Sequence, residues 1–205
     1  RGRCAQPCRQ QYLVDGKKCG IGEYVLSPME LSNLPYIAEM IECGIDSFKI
    51  EGRMKRPEYT AFVTAMFRKY TDLYVELGKD GYRDYIKTNR AEFENDICHL
   101  KEIYNRGGFT QGYLEGRSGV PLEKKKYDRG VMLSAKRPKH GGVLVGKVIS
   151  VGKGSLRYKL DKDIYPQDVV EFCDKNMRQE YEYTVGTHLK AGMQVEARFK
   201  KGSRI

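Results

Sequence analysis

The chain has 205 residues, of which 40% are hydrophobic, and a net charge of +10. This length allows one large or two small domains with a buried core. No apolar run approaches the about 18 residues that a bilayer-crossing helix needs, so the sequence excludes such a helix. The positive charge favours an acidic partner such as nucleic acid, and a basic surface that serves only solubility is the alternative.

The first residue and the cysteines indicate what kind of molecule this is. The chain begins with Arg1 rather than Met, and its first residues lack the apolar core of a signal peptide, so we expect a piece of a longer protein. Six cysteines in a chain of this size, without a secretory signal, favour a reducing, cytoplasmic compartment over a disulfide framework.

The first quarter predicts an irregular hairpin followed by a helix. Residues 11–14 and 23–26 have the composition of short strands, with a turn at Asp15-Gly16. Ser27-Pro28 is typical of a helix cap and first turn. The apolar stripe that follows predicts a helix that ends at Gly44, because glycine readily adopts the left-handed conformation that closes a helix.

The next segment predicts a strand and two helices, which is the rhythm of an α/β unit. Residues 45–50 alternate as a strand. Arg56-Pro57-Glu58 opens a long helix with apolar residues at three- and four-residue spacing, and residues 78–81 break it. A further helix is predicted from Asn89 to about residues 105–108.

The second half of the chain predicts a connector and a β domain. Gly, Pro, Lys and Arg dominate residues 109–140 with little periodicity, which is typical of a loop-rich connector. Five short β-prone runs then predict a small barrel or sandwich; they cover residues 143–151, 156–160, 169–172, 180–185 and 195–199. The predicted parts of the chain are therefore residues 1–108, 109–140 and 141–205.

The charged end of the strand predicted at residues 45–50 is the first candidate site. In α/β barrels the C-terminal strand ends line the active site. Lys49 and Glu51 would share one face of this strand, and Arg53 would follow in the loop. Such a carboxylate between two cations could orient a polar or anionic substrate or act as a base. A surface ion-pair cluster at a strand end is the alternative.

Cys4 and Cys8 form the second candidate site. Two sulfur ligands with three residues between them, in a loop rich in arginine, could bind one metal ion or one iron–sulfur cluster. A cluster normally takes four cysteines, and Cys19 or Cys43 could contribute only if the fold brings them back. Ordinary loop cysteines are the alternative.

Four segments together resemble the collagenase-like peptidase family U32. They are residues 1–9 (RGRCAQPCR), 24–28 (YVLSP), 48–59 (FKIEGRMKRPEY) and 105–114 (NRGGFTQGYL). The order and spacing of these segments are more specific than any one of them.

The resemblance implies a fold and a cofactor. Residues before about 80 would be the closing part of a TIM-like barrel, with a helical extension, and the C-terminal module would be a small β-barrel. Members of this type look like iron–sulfur proteins, so Cys4 and Cys8 would be two ligands of a 4Fe–4S cluster. The family's upstream cysteine signature, which would supply the remaining ligands, is not among these residues.

The resemblance also implies an activity. Related members take part in oxygen-independent hydroxylation of a base in tRNA or rRNA, with prephenate as a possible co-substrate. In this chain Lys49, Glu51 and Arg53 would shape the barrel mouth as catalytic residues, and Arg9 and Arg56 would help to bind substrate. The inherited family name implies the alternative, a peptidase that cuts collagen-like or other peptides. A non-catalytic RNA-binding or assembly role for this part of the protein is the third possibility.

Overall fold

The computed structural model describes residues 4–52, 54–112, 114, 132–175 and 179–199. The chain divides into two compact units, residues 1–142 and 143–205, and each has its own hydrophobic core. No helix in the described ranges combines the length and the apolar composition needed to cross a membrane.

The first unit begins with loops rather than with the predicted hairpin strands. Asp15 and Gly16 both have positive φ, and Val14 and Lys17 exchange backbone hydrogen bonds of 2.9 and 3.0 Å, so the predicted turn is confirmed. The prediction of strands at residues 11–14 and 23–26 is wrong. Tyr12 N donates to Glu23 O at 2.9 Å, which links the two segments, but the next residue, Tyr24, donates its N–H to Ala135 O, so the strand pairing does not continue.

The predicted helix begins later than the sequence indicates. The structure has a short strand, β1 (Glu30–Leu31), a 3-10 turn at Leu34–Tyr36, and then helix α1 (Ile37–Glu42). Ser27 and Pro28 do not start a helix, because residues 132–134 bond to this backbone and β1 pairs in parallel with β2 (Phe109–Thr110).

Gly44 closes α1 as predicted. Its φ is +79°, its N–H donates to Ile41 O at 2.9 Å, and Ile45 N donates to Met40 O at 3.2 Å. This pair of bonds is a Schellman closure, which satisfies two of the last carbonyls of the helix.

The strand predicted at residues 45–50 is wrong. The described residues of this segment are extended or irregular and pair with no strand. A strand is stabilised by bonds to a neighbouring strand, so an alternating pattern alone does not produce one.

Two helices form most of the first unit's core, as the apolar spacing predicts. Helix α2 (Pro57–Thr88) is kinked at Gly78, where φ is +67°, and helix α3 (Arg90–Ile103) follows. Tyr70 is almost fully buried between them, and its hydroxyl donates to Asp96 Oδ2 at 2.8 Å. The buried residues of this core are Leu34, Ile37, Ala38, Tyr70, Tyr82 and Leu100.

The described residues of the second unit contain five antiparallel strands at the predicted places. They are β3 (Gly146–Val151), β4 (Ser155–Leu160), β5 (Val169–Cys173), β6 (Gln179–Thr184) and β7 (Gln194–Arg198). The described strands form a three-stranded sheet, β3-β4-β7, and a hairpin, β5-β6, around a core that includes Leu156, Leu160 and Val185. No closed barrel occurs among these strands, and the TIM-like barrel and the β-barrel stay predictions.

The segment predicted as a connector, residues 109–140, contributes to the first unit. Its first residues form β2, and Leu133 makes an isolated bridge to Pro28. Of the residues between them, 111, 112, 114 and 132 lie in the described ranges.

Candidate functional site

The loop that carries Cys4 and Cys8 is held by its own hydrogen bonds. Pro7–Arg9 forms one 3-10 turn, and Tyr12 Oη donates to Pro7 O at 3.0 Å. Cys4 is exposed and its Sγ accepts a hydrogen bond from Gln6 N at 3.4 Å, whereas Cys8 is half-buried. The two sulfur atoms therefore have different surroundings.

Cys8 is connected to the interior of the first unit through Arg106. The guanidinium Nη1 of Arg106 donates to Cys8 Sγ at 3.9 Å, and its Nη2 lies 3.4 Å from Glu30 Oε1. One arginine thus bridges a cysteine in the N-terminal loop and a carboxylate on β1.

The turn after α3 fixes the position of Arg106. Asn105 is buried, and its Oδ1 accepts the backbone N–H of Gly108 at 3.0 Å. Gly107 has a φ of +73°, and the side chain of Ser134 lies so close to it that no Cβ would fit. This glycine is therefore required both by backbone conformation and by the close approach of Ser134.

Lys55 approaches the same carboxylate from the other side. It lies just before α2, in a turn in which its N–H donates to Gly52 O at 3.0 Å and Met54 has a φ of +62°. Its Nζ is 3.6 Å from Glu30 Oε1 and lies over the ring of Tyr104. We call Glu30, Lys55 and Arg106 the buried ionic cluster.

The buried ionic cluster has two cations around one carboxylate, away from water. The exposed fractions of the side chains are 17% for Glu30 and 13% for both Lys55 and Arg106. Burial lowers the pKa of Lys55 to about 8, although Glu30 partly opposes the shift. Within the described residues, Glu30 Oε1 and Arg106 Nε are buried atoms with no hydrogen-bond partner. Such atoms are costly and are a feature of functional sites.

A small cavity adjoins the buried ionic cluster. Glu30 lines it together with two tyrosines, Tyr59 and Tyr104, whose pKa values burial raises. Tyr104 stacks on His140 at 5.1 Å between ring centroids, and His140 Nδ1 accepts the N–H of Asn105. The cavity therefore combines an apolar wall with one carboxylate and two phenols. The remaining lining residues are Leu31, Ser32, Val63, Phe67, Leu100 and Phe109.

The segments that meet at this site match one protein family. The model of peptidase family U32 matches residues 1–124, which is more than half of the chain. This chain belongs to peptidase family U32. The match includes the Cys4–Cys8 loop, Lys55 and Arg106, so the whole candidate site lies inside the U32 region.

Curated relatives of this U32 chain have names from two kinds of activity. "Collagenase" of Porphyromonas gingivalis is 33% identical over 122 residues, which cover 57% of this chain and 27% of the relative. "tRNA hydroxylation protein P1" of Bacillus subtilis is 43% identical over 140 residues, covering 62% of this chain and 32% of the relative. A 23S rRNA 5-hydroxycytidine synthase of Escherichia coli is 30% identical over 159 residues, covering 76% and 22%.

The chain thus spans about a third or less of the length of these relatives. No solved structure matches it.

Lys49 and Glu51, two of the residues that the sequence predicts as catalytic, form no hydrogen bond or ion pair with the buried ionic cluster among the described residues. Lys49 Nζ and Glu51 Oε1 form an ion pair of 3.0 Å whose side chains are 85% and 66% exposed. Arg53 lies outside the described residues. No hydrogen bond or ion pair in the described part of the chain links Lys49 or Glu51 to Cys4 or Cys8, and their catalytic role stays a prediction.

The other predicted site residues are distributed between the site and the surface. Arg9 is half-buried and acts electrostatically on Lys55 and Tyr104, so it lies near the buried ionic cluster. Arg56 is exposed at the N-cap of α2. Among the described residues, no three His, Cys, Asp or Glu side chains come together as a metal-binding group. The metal-ligand role of Cys4 and Cys8 also stays a prediction.

The buried ionic cluster cannot be recognised from the sequence pattern. Lys55 and Arg106 lie within two of the segments that resemble U32, but no spacing rule connects them across 50 residues. Glu30 has the position of a helix-capping residue in the sequence, whereas in the structure it lies on β1. In both segments a basic residue lies close to a glycine, Lys55 after Gly52 and Arg106 before Gly107. This shared feature is the signal that could have pointed to the two residues.

Proposed function

We propose that this chain is part of a U32 protein that takes part in iron–sulfur-dependent, oxygen-independent hydroxylation of a base in tRNA or rRNA. Two of the three relatives described above have names that state RNA hydroxylation. The net charge of +10 suits a polyanionic substrate. The modified base would have to be unpaired or extruded, because the reacting atoms of a stacked base are not accessible.

The observation that carries the proposal is the bridge that Arg106 makes between Cys8 and Glu30. It connects a cysteine of the N-terminal loop with a buried charged group beside a cavity, so a redox centre held at Cys8 would adjoin a candidate substrate site. A purely structural salt bridge would not require the sulfur contact.

The surroundings of Cys4 and Cys8 fit part of a cluster site. Each sulfur accepts an N–H hydrogen bond, from Gln6 N and from Arg106 respectively, and hydrogen bonds to sulfur are one means by which proteins tune a cluster. Two cysteines supply half of a four-cysteine ligand set, and the other ligands would come from the part of the protein upstream of these residues. When bound, a 4Fe–4S cluster supplies electron transfer.

The basic residues around the site would bind the anionic reactants. Prephenate, the possible co-substrate, has two carboxylates, and Arg9 and Arg56 are candidates to bind carboxylate or phosphate oxygens. Lys49, Glu51 and Arg53 would orient substrate at the mouth of the site. Arg106 would position Cys8, and Glu30 would hold Arg106 in place.

The test uses the full-length protein, purified without oxygen, with Cys8→Ser and Cys43→Ser as a matched pair. Cys43 is also a free cysteine of the first unit, at the C-terminus of α1, and among the described residues the fold does not bring it into a metal-binding group with Cys4 and Cys8. We expect Cys8→Ser to lose bound iron and visible absorbance and to abolish the hydroxylated nucleoside in cellular RNA, measured by mass spectrometry. Cys43→Ser should retain both. Equal iron content in the two variants would contradict the ligand role of Cys8.

The second candidate function is peptide hydrolysis, which the relative named "Collagenase" favours. It predicts that the full-length protein digests gelatin, and that Cys8→Ser leaves the nucleosides of cellular RNA unchanged. If the full-length protein contains no iron and digests gelatin, and if Cys8→Ser leaves the nucleosides of cellular RNA unchanged, peptide hydrolysis replaces base hydroxylation as the proposed function.

A further inference from the structure

The three-stranded sheet of the second unit has one face in the core and one face in solvent. Leu156, Tyr158 and Leu160 of β4 are buried, and the residues between them are exposed. The pairing of β4 with β3 and β7 therefore defines which residues share the exposed face.

Most of the charged residues on this exposed face are cations. Lys147 on β3 lies directly opposite Lys159 on β4. Arg157 on β4 lies opposite Glu196 on β7, and Arg198 on β7 lies opposite Ser155. The face thus has four cations and one carboxylate, and no ion pair involving these five residues occurs within the described residues. We call Lys147, Arg157, Lys159 and Arg198 the cationic face.

The pair Lys147–Lys159 destabilises the free protein. Like charges directly opposite each other on neighbouring strands repel, and both lysines are exposed, so neither is required for packing. A polyanion bound across the two strands would remove this repulsion. A bound polyanion therefore explains the position of the two opposed lysines better than the stability of the sheet does.

The β5-β6 hairpin of the same unit shows the opposite pattern. Glu171 lies directly opposite Glu182, and the residues on the other side of these strands, such as Phe172 and Tyr181, pack in the core. The exposed side of this hairpin is acidic, whereas the exposed face of the three-stranded sheet is mainly basic. Segregated charge of this kind directs a polyanion to one surface.

We propose that the cationic face binds the phosphate backbone of RNA. Cations two residues apart on one strand are about 6.6 Å apart, and neighbouring strands are about 4.8 Å apart, so the four side chains can contact several consecutive phosphates. Contacts of this type position the RNA and do not select its sequence. The inference rests on the RNA part of the proposed function and not on its cluster chemistry.

The experiment measures binding of unmodified tRNA by the intact chain as a function of salt. Lys147→Gln combined with Lys159→Gln removes two cations from the face, and Lys87→Gln combined with Lys175→Gln removes two exposed cations elsewhere. We expect the first double variant to make the negative slope of log K against log salt less steep by about two, and to weaken binding uniformly across RNA sequences. The second should change the slope by much less.

A gain of function sharpens the test. Glu196→Gln removes the carboxylate from the face and should tighten tRNA binding, most strongly near about 50 mM salt. Because the first double variant also relieves the lysine repulsion, its melting temperature at low salt should equal or exceed that of the parent, so a loss of binding would not reflect unfolding.

The outcomes separate this inference from the proposed function. Parent-like affinity and slope in Lys147→Gln with Lys159→Gln would overturn the cationic face as the RNA site, while iron binding and base hydroxylation would be unaffected. Absence of any salt-dependent tRNA binding by the parent chain would overturn the cationic face and would also count against RNA as the substrate.

Discussion

Two groups of oppositely charged residues in the first unit differ in how deeply they are buried, and this difference determines how strongly each affects stability. The Lys49–Glu51 pair has the shorter distance, 3.0 Å, but its side chains are 85% and 66% exposed. In the buried ionic cluster the distances to Glu30 are 3.4 and 3.6 Å, and the exposed fractions are 13% to 17%. Burial, and not distance, decides which group matters energetically, because water screens the first pair and not the second.

The buried ionic cluster also depends on more of the fold. Glu30 lies on β1, which pairs with β2; Arg106 lies in the turn before β2; and Lys55 precedes α2. Three segments that are distant in sequence must fold correctly to bring these charges together. The Lys49–Glu51 pair is local and requires only one extended segment.

The largest expected effect is that of Glu30→Gln. Removing the carboxylate leaves Lys55 and Arg106 close together and poorly solvated, so the free energy of unfolding should fall by about 4 kcal/mol at neutral pH. Chemical denaturation followed by circular dichroism measures the change. The matched control is Glu76→Gln, at an exposed position of α2, which should change the value by less than about 0.5 kcal/mol. Equal effects of the two substitutions would show that the cluster is effectively solvated.

The second expected effect is a pH dependence that comes from Lys55. Its pKa is about 8 in the folded chain, because of burial, and about 10.4 in an unfolded chain. Between these values the unfolded state binds the proton and the folded state does not, so stability rises with pH through this window. The total gain is at most about 3 kcal/mol.

Lys55→Met tests this assignment. The variant should lose the rise in stability between about pH 8 and pH 10.4, and the difference between parent and variant isolates Lys55 from the tyrosines that titrate in the same range. Denaturation curves at a series of pH values provide the measurement. A rise of the same size in the variant would assign the pH dependence to other groups.

The sequence predicts the second unit far better than the first, for a physical reason. The strands β3 to β7 pair with one another within a short stretch of chain, so alternation and turn residues are sufficient to locate them. Helix α2 is equally predictable from its apolar spacing. Residues 27–30 and 45–50 are mispredicted because partners elsewhere in the chain, or the lack of a neighbouring strand, determine their structure, and local pattern contains no information on either.

The same reasoning applies to the candidate site. Cys4, Cys8, Lys49 and Glu51 are recognisable because each pair is local in sequence. The contact of Arg106 with both Cys8 and Glu30 spans nearly 100 residues and is visible only in the folded chain. The sequence therefore predicts the residues that could react and not the network that would orient them.

The substitution with the smallest expected effect on stability, at Glu51, is the most informative about function. Glu51→Gln should change the free energy of unfolding by less than about 0.5 kcal/mol, since its partner Lys49 is exposed and remains hydrated. If Glu51 is catalytic, the same substitution in the full-length protein should abolish base hydroxylation, measured by mass spectrometry of cellular RNA, while iron content stays at the parent level. Parent-like hydroxylation would reduce Lys49–Glu51 to a surface ion pair. The chemistry would then be expected at the cavity beside Glu30, where the charges are buried.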